Sequence, residues 1–335
     1  MSTTTTTTTS PSDEPTRIKT RFLILSDTHN ASPYPPDTSN VGFRSPLPKA
    51  DVLLHCGDLT MVGHLHEYQM ALDMLASIDA DLKLVIAGNH DISLDDEFYE
   101  RRGRYMHRLR EQDQSICREA REMWTGEEAR RAGVTYLDEG THTFTLKNGA
   151  RLRVYASPYQ PEFCDWAFPY FAHQDRFNPP HQATPNSVPI CENPIPDFPA
   201  IDVVMTHGPP KGIRDETHRD EHVGCEHLLR AVRRCRPKLH CFGHIHEAWG
   251  ATRVRWKDSE EEVGWEGYVE EAEWINVDEE DLVEDGMVSM NISQKGTRGL
   301  EIGKETLMVN ASIMTHRYKP HQGPWIVDLD LDMNR

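Results

Sequence analysis

Short apolar runs recur along the chain from residue 22 onward: Phe22 to Leu25, Val52 to His55, Leu84 to Ala87, Leu152 to Tyr155, Ile201 to Met205, and Leu239 to Phe242. Each is four or five residues of nearly continuous hydrophobicity, the pattern of an interior strand buried on both faces. Between them the spacing changes. Leu65, Tyr68, Leu72, Leu75 and Ile78 place one apolar stripe on a helix, and Leu228, Leu229, Val232 and Cys235 do the same before Pro237, which cannot continue a helix. The Arg- and Glu-rich stretch from Glu97 to Ala132 predicts helix with a solvated face, and the Pro-rich stretch from Asn178 to Pro199 predicts a surface loop. Leu307 to Ala311 and Trp325 to Leu331 read as further strands. Strands alternating with helices predict the α/β class.

Residues 1–16 break this pattern, being Thr, Ser and Pro with seven consecutive threonines from Thr3 to Thr9. They lack the apolar groups to offset the entropy of ordering and read as a tail, leaving residues 17–335 as a single domain. The second interruption is acidic. From Asp258 to Asp285 there are 14 Asp or Glu and no Lys or Arg, so this segment carries most of the net charge of −18. It reads as a solvated surface insertion at about 258–302, with a docking site for a basic partner as the sharper alternative.

Outside that segment the chain is nearly neutral, and its overall acidity argues against polymeric nucleic acid as a partner. The seven cysteines form an odd set with no pair two residues apart, which predicts neither a disulfide framework nor a zinc ribbon. No apolar run approaches the length of a membrane span, and the amino terminus does not read as a signal peptide. A cytoplasmic location is therefore expected, with the nucleus as the alternative.

The chemistry lies where the strands end. Phe22 to Leu25 leads into Asp27 and His29, Val52 to Cys56 into Gly57-Asp58, and Leu84 to Ala87 into Gly88-Asn89-His90-Asp91. Ile201 to Met205 leads into His207, and Leu239 to Phe242 into Gly243-His244-Ile245-His246. A lone Asp at a strand end is ordinarily a turn or a cap, and a lone His ordinarily a core or surface residue. Five such elements at five strand ends are not ordinary, because in α/β sheets the carboxyl ends of strands converge on one crevice. Imidazole, carboxylate and amide donors suit Mn, Fe, Zn, Co or Mg, and one Asp can bridge two such ions. Cys56, in an apolar strand, reads as inert rather than reactive. His64, His66, His240, His218 and His222 read as structural, and Tyr159 and Trp166 as packing rather than as stacking platforms for a substrate.

In order, Asp27-x-His29, Gly57-Asp58, Gly88-Asn89-His90-Asp91, His207 and Gly243-His244-x-His246 resemble the full signature of the calcineurin-like metallophosphoesterase superfamily. Over about residues 20–258 and 305–332 the chain is similar to its metallophosphoesterase-domain-containing, 239AB-like branch. The segments Ser157-Pro158-Tyr159-Gln160-Pro161, Thr206-His207-Gly208-Pro209-Pro210 and Asn310-Ala311-Ser312 carry that match. The resemblance implies a layered αββα sandwich of two mixed sheets flanked by helices. It implies two divalent metal ions, one held by Asp27, His29, Asp58 and His246, the other by Asp58, Asn89, His207 and His244, with Asp58 bridging. His90 is then the residue that protonates the leaving oxygen or stabilises the transition state.

The implied reaction is hydrolysis of a small phosphodiester, a cyclic nucleotide among the candidates, by a metal-bound hydroxide. A phosphomonoesterase or protein phosphatase, and a nucleotide-binding scaffold with little turnover, are the alternatives. Two departures stand out. Asp91 replaces the Glu usual in the branch. Ala87 and Thr60-Met61-Val62-Gly63 occupy the positions where protein phosphatases of the superfamily carry arginines, so the bidentate clamp on a phosphoprotein is absent.

Overall fold

The computed structural model describes residues 16–258 and 265–334. The tail expected at residues 1–16 lies outside these apart from Thr16, as do residues 259–264 of the acidic segment.

In chain order, β1 (Arg17–Leu25), β2 (Ala50–His55), α1 (Leu65–Ala76), β3 (Ala80–Val85), α2 (Asp96–Met106), α3 (Ser115–Thr125), α4 (Glu127–Ala132) and β4 (Val134–Tyr136) form the first half. There follow β5 (Gly140–Thr145), β6 (Arg151–Ser157), and two small parallel pairs. These pairs are β7 (Gln160–Pro161) with β8 (Pro169–Tyr170), and β9 (Gln174–Asp175) with β10 (Val188–Pro189). The second half continues with β11 (Val203–Thr206), α5 (Glu226–Cys235), β12 (Leu239–Phe242), β13 (Gly250–Trp256) and β14 (Val269–Trp274). It closes with α6 (Glu279–Asp285), β15 (Val288–Asn291), β16 (Glu305–Asn310) and β17 (Trp325–Asp332).

Two mixed sheets result, ordered β15-β17-β1-β2-β3-β4 and β14-β13-β16-β12-β11-β6-β5. Their facing sides share one apolar core, in which Phe22, Ile24, Val52, Leu54 and Leu84 meet Leu152, Val154, Val203, Met205, Leu239 and Leu307. The alternate residues Leu23, Leu25, Leu53 and Val85 point the other way and pack on α1 to α4. Behind the second sheet, Tyr155, Val204, Phe242 and Met308 pack against α5. Each interior strand is covered on both sides, which is why its sequence is continuously apolar rather than alternating. The fold is the αββα layering that the resemblance implies.

The stretch from Glu97 to Ala132 is helical but not one helix. Tyr99, Phe98, Cys117, Ala120 and Trp124 turn α2 and α3 onto the first sheet, and Gly126 separates α3 from α4. The acidic segment differs more. Its described part is built into the sheets rather than looped out: β14 pairs antiparallel with β13 at the edge of one sheet, and β15 pairs parallel with β17 at the edge of the other. Between them Asp278 caps α6, its Oδ1 accepting from the amides of Glu280 (2.8 Å) and Asp281 (3.3 Å). Acidic residues in a first turn suit the helix dipole, and Gly286, with φ at +70°, ends the helix.

Candidate metal centre

β1, β2 and β3 belong to one sheet, β11 and β12 to the other, and the five carboxyl ends meet across the gap between the sheets. The chain turns there abruptly. Asp27, His29, Asp58 and His244 take φ values of +52°, +42°, +53° and +69°, conformations costly for residues with a Cβ and characteristic of functional sites. Backbone hydrogen bonds hold them: Asp27 N–H to Gly57 O (2.9 Å) and His29 N–H to Asp58 O (3.1 Å) join the first two turns. Ile313 N–H to Ser26 O (2.8 Å) ties in the loop after β16. Gly88 and Gly243 permit the approach, since a Cβ on Gly88 would strike the Asp58 amide and carboxylate, and one on Gly243 the Asp27 carboxylate.

The side chains then fall into two groups. Asp27, His29, Asp58 and His246 bring ligand atoms within 4.8 Å of one another, and so do Asp58, His207 and His244. Asp58 belongs to both: its Oδ2 lies 3.5 Å from His29 Nε2 and its Oδ1 3.5 Å from His207 Nε2. Asn89 Oδ1 joins the second group, 2.9 Å from His207 Nε2. The predicted ligands thus come together in the two predicted sets.

The imidazoles are oriented from behind. His29 Nδ1 faces Thr60 O (2.9 Å), His207 Nδ1 faces Cys56 O (2.9 Å), and His246 Nδ1 faces Thr315 O (3.3 Å). A carbonyl only accepts, so each Nδ1 carries a proton and each Nε2 is the nitrogen turned inward, the one left for a metal once any proton on it is displaced. Asp27 accepts from Ser312 Oγ (2.9 Å) and from the His244 amide (3.0 Å). Asp91 points away from the centre and staples two of its turns. Its carboxylate accepts from the amides of Gly88, Leu59 and Thr60 and from Thr60 Oγ1 (2.7 Å).

Burial alone would raise the Asp58 carboxyl, but the His207 charge and hydrogen bond hold it well below the carboxylate range. Burial likewise opposes a charge on His207, yet Asp58 pushes it up to about 9. Asp27 is held low against its burial by the hydrogen bond and charge of His246. Burial keeps His29 and His244 down at about 3. One buried carboxylate supports one imidazolium, not three, so His207 and His246 take the cationic role that divalent ions would otherwise fill.

His90 stands beside this cluster. Its amide donates to Asp58 Oδ1 (2.8 Å), its Nδ1 faces Met61 O (2.7 Å), and Trp166 stacks on its ring with centroids 3.9 Å apart. The centre opens into a cleft of about 560 Å³ lined by His90, Phe163, His218, Arg219, Glu247 and Tyr318 among others. A larger cleft of about 790 Å³, near Tyr136 and Tyr159, holds none of the predicted ligands. There Arg176 is committed to Glu139 and Arg121 to Asp138.

Residues 20–248, which hold every ligand named above, match the sequence profile of the calcineurin-like phosphoesterase family. The chain belongs to that family. Among curated relatives, it is 33% identical over 239 residues to metallophosphoesterase domain-containing protein 1 of Homo sapiens, covering 69% of this chain and 62% of that protein. It is 30% identical over 213 residues to a UPF0046 protein of Caenorhabditis elegans, covering 62% of this chain and 49% of the relative. The chain thus matches less than two thirds of the length of these relatives. A purple acid phosphatase structure from yellow lupin is 12% identical and covers 88% of this chain and 44% of its own, with a TM-score of 0.38.

Three features of the site leave no mark in the sequence. Tyr318 overhangs the centre from the loop between β16 and β17, with no motif to mark it. Trp166 packs, as expected, but packs on His90. His218, read as structural, lines the cleft and pairs with Glu247 at 3.1 Å; its neighbour Arg219 is basic too, and only the tertiary fold carries that loop to the site.

Proposed function

We propose that this chain is a phosphodiesterase for small substrates, dependent on two divalent cations held by Asp27, His29, Asp58 and His246 on one side and Asp58, Asn89, His207 and His244 on the other. The donor set fits such ions: seven nitrogen or oxygen ligands, no thiolate, and imidazoles preset with Nε2 inward. When bound, such a pair supplies a nucleophile at neutral pH and neutralises charge on the transferring phosphoryl group.

The observation that carries the diester preference is the charge of the cleft. Glu162, Glu221 and Glu247 line it against the single arginine Arg219. A phosphomonoester is close to dianionic at pH 7, whereas a diester brings one negative charge into the same field. The missing arginine clamp at Ala87 and in Thr60-Met61-Val62-Gly63 points the same way. His90, with Nδ1 fixed on Met61 O, presents Nε2 to the cleft and holds the proton for the leaving oxygen. A cyclic nucleotide is a substrate of suitable size and charge for a cleft of about 560 Å³.

A reducing, cytoplasmic setting belongs to the same reading, supported by seven cysteines that are all unpaired. No helix among the described residues is long and apolar enough to cross a membrane. The test is hydrolysis of bis-p-nitrophenyl phosphate against p-nitrophenyl phosphate, with Mn, Fe, Zn, Co and Mg supplied in turn. Diester turnover that is abolished by chelation and by Asp58→Ala, and strongly reduced in His90→Ala, is expected; a clear preference for the monoester makes the chain a phosphomonoesterase instead.

A further inference from the structure

Tyr318 is placed over the centre by a device too specific for a packing residue. The loop between β16 and β17 crosses the strand ends and closes a tight turn, with Tyr318 N–H on Thr315 O (2.8 Å) and Thr315 N–H on Lys319 O (2.9 Å). That same Thr315 carbonyl faces His246 Nδ1, and Gln322 Nε2 donates to His246 O (3.0 Å). The turn that aims a predicted ligand therefore also aims Tyr318. Tyr318 has φ at +54°, a left-handed conformation that a bulky residue keeps only when its surroundings enforce it.

The ring covers one predicted metal group, its centroid 5.0 Å from that of His29 and 5.0 Å from that of His246. Its hydroxyl lies 3.4 Å from His90 Nε2. Because His90 Nδ1–H donates to Met61 O, Nε2 is the ring nitrogen left to exchange a proton, and Tyr318 Oη stands at that nitrogen. Trp166 stacks on a face of the His90 ring, with centroids 3.9 Å apart. The residue is 45% exposed, so the hydroxyl reaches the cleft that it lines. Hydrogen bonds of this kind are long before substrate fills a site and tighten afterwards.

We propose that Tyr318 is a further catalytic residue, relaying the proton from His90 to the leaving oxygen. This rests on the phosphodiesterase reading above. Water oxygen bonds to phosphorus as the ester P–O bond breaks. The departing oxygen takes the Tyr318 Oη proton, His90 Nε2–H replaces it, and His90 recovers a proton released by the water. The products are one alcohol and one phosphomonoester. Tyr318 lies outside residues 20–248, the segment that matches the family, so this role belongs to a loop the family's signature does not include.

The experiment compares wild type, Tyr318→Phe and His90→Ala on a series of aryl and alkyl esters of p-nitrophenyl phosphate, following release of the non-nitrophenyl alcohol as well as nitrophenolate, with Mn supplied. Nitrophenolate departs with little need of a proton, whereas an alkoxide requires one. Tyr318→Phe is expected to steepen the dependence of kcat on leaving-group basicity, losing about ten-fold or more on the alkyl departure relative to nitrophenolate, and His90→Ala to steepen it further. Metal content, measured by plasma emission, is expected to match wild type in Tyr318→Phe. An equal loss on all leaving groups, no loss on any, or a changed metal content overturns the relay while leaving the phosphodiesterase reading intact. A wild type that releases neither alcohol nor nitrophenolate overturns both.

Discussion

At the scale of single residues, the centre depends on how closely backbones approach. Gly88→Ala drives a Cβ into the Asp58 amide and carboxylate, a clash with no flexible partner to yield. It is expected to weaken metal binding by about ten-fold or more in calorimetry and to cost about 1–3 kcal/mol of stability. The pairing of His207 with Asp58 makes the metal-free protein pH-dependent. The His207 pKa rises from 6.5 to about 9 on folding, so the folded state binds the extra proton and the pair stabilises it fully below pH 6.5. That contribution is lost as pH rises through about 9, and is on the order of 3 kcal/mol. Thermal melts of the chelated protein should show Tm falling between pH 7 and 10, with a flatter profile in His207→Gln. Metal must displace that same proton, so affinity should rise over the same range.

At the scale of elements, the interior strands were legible because burial on both faces leaves an unbroken apolar run, as in Phe22 to Leu25 and Leu239 to Phe242. The edge strands were not. In β5 (Gly140–Thr145) the threonines face outward, and in β14 (Val269–Trp274) nearly every position is exposed; pairing to one neighbour alone asks little of the side chains. The amino ends of the second sheet are tied by Asp202, buried beneath Arg153 of β6 (2.8 and 3.0 Å) and Lys238 before β12 (2.9 Å). Asp202→Ala removes the carboxylate from Lys238 and leaves Arg153 only its longer pair with Asp332 (4.0 Å), and should cost about 3 kcal/mol in urea denaturation, with metal affinity retained because the site lies at the other end of these strands. Burial raises the Asp202 carboxyl, but Arg153 and Lys238 bring it below its ordinary value. Its contribution is therefore present at neutral pH and disappears as pH falls through the depressed value.

For the whole molecule, metal loading should couple to stability, since the ligands come from both sheets and from turns that hold them together only in the folded state. Saturating Mn at about 100-fold above its dissociation constant stabilises by about 2.7 kcal/mol, and Tm should rise by several degrees in scanning calorimetry and fall back on chelation. Asp58→Ala should abolish the rise. The amino-acid sequence alone determined the interior strands, the order of the ligands along them and the family signature, because hydrophobic continuity and a polar residue at a strand end are local properties. What only the tertiary structure decided is which atoms meet. It set the two oxygens of Asp58 toward opposite groups, anchored the acidic segment as edge strands on two different sheets, and brought Tyr318 from a loop without a motif to His90 Nε2. Such contacts join residues far apart along the chain, 228 positions for Tyr318 and His90, and nothing local to either partner records them.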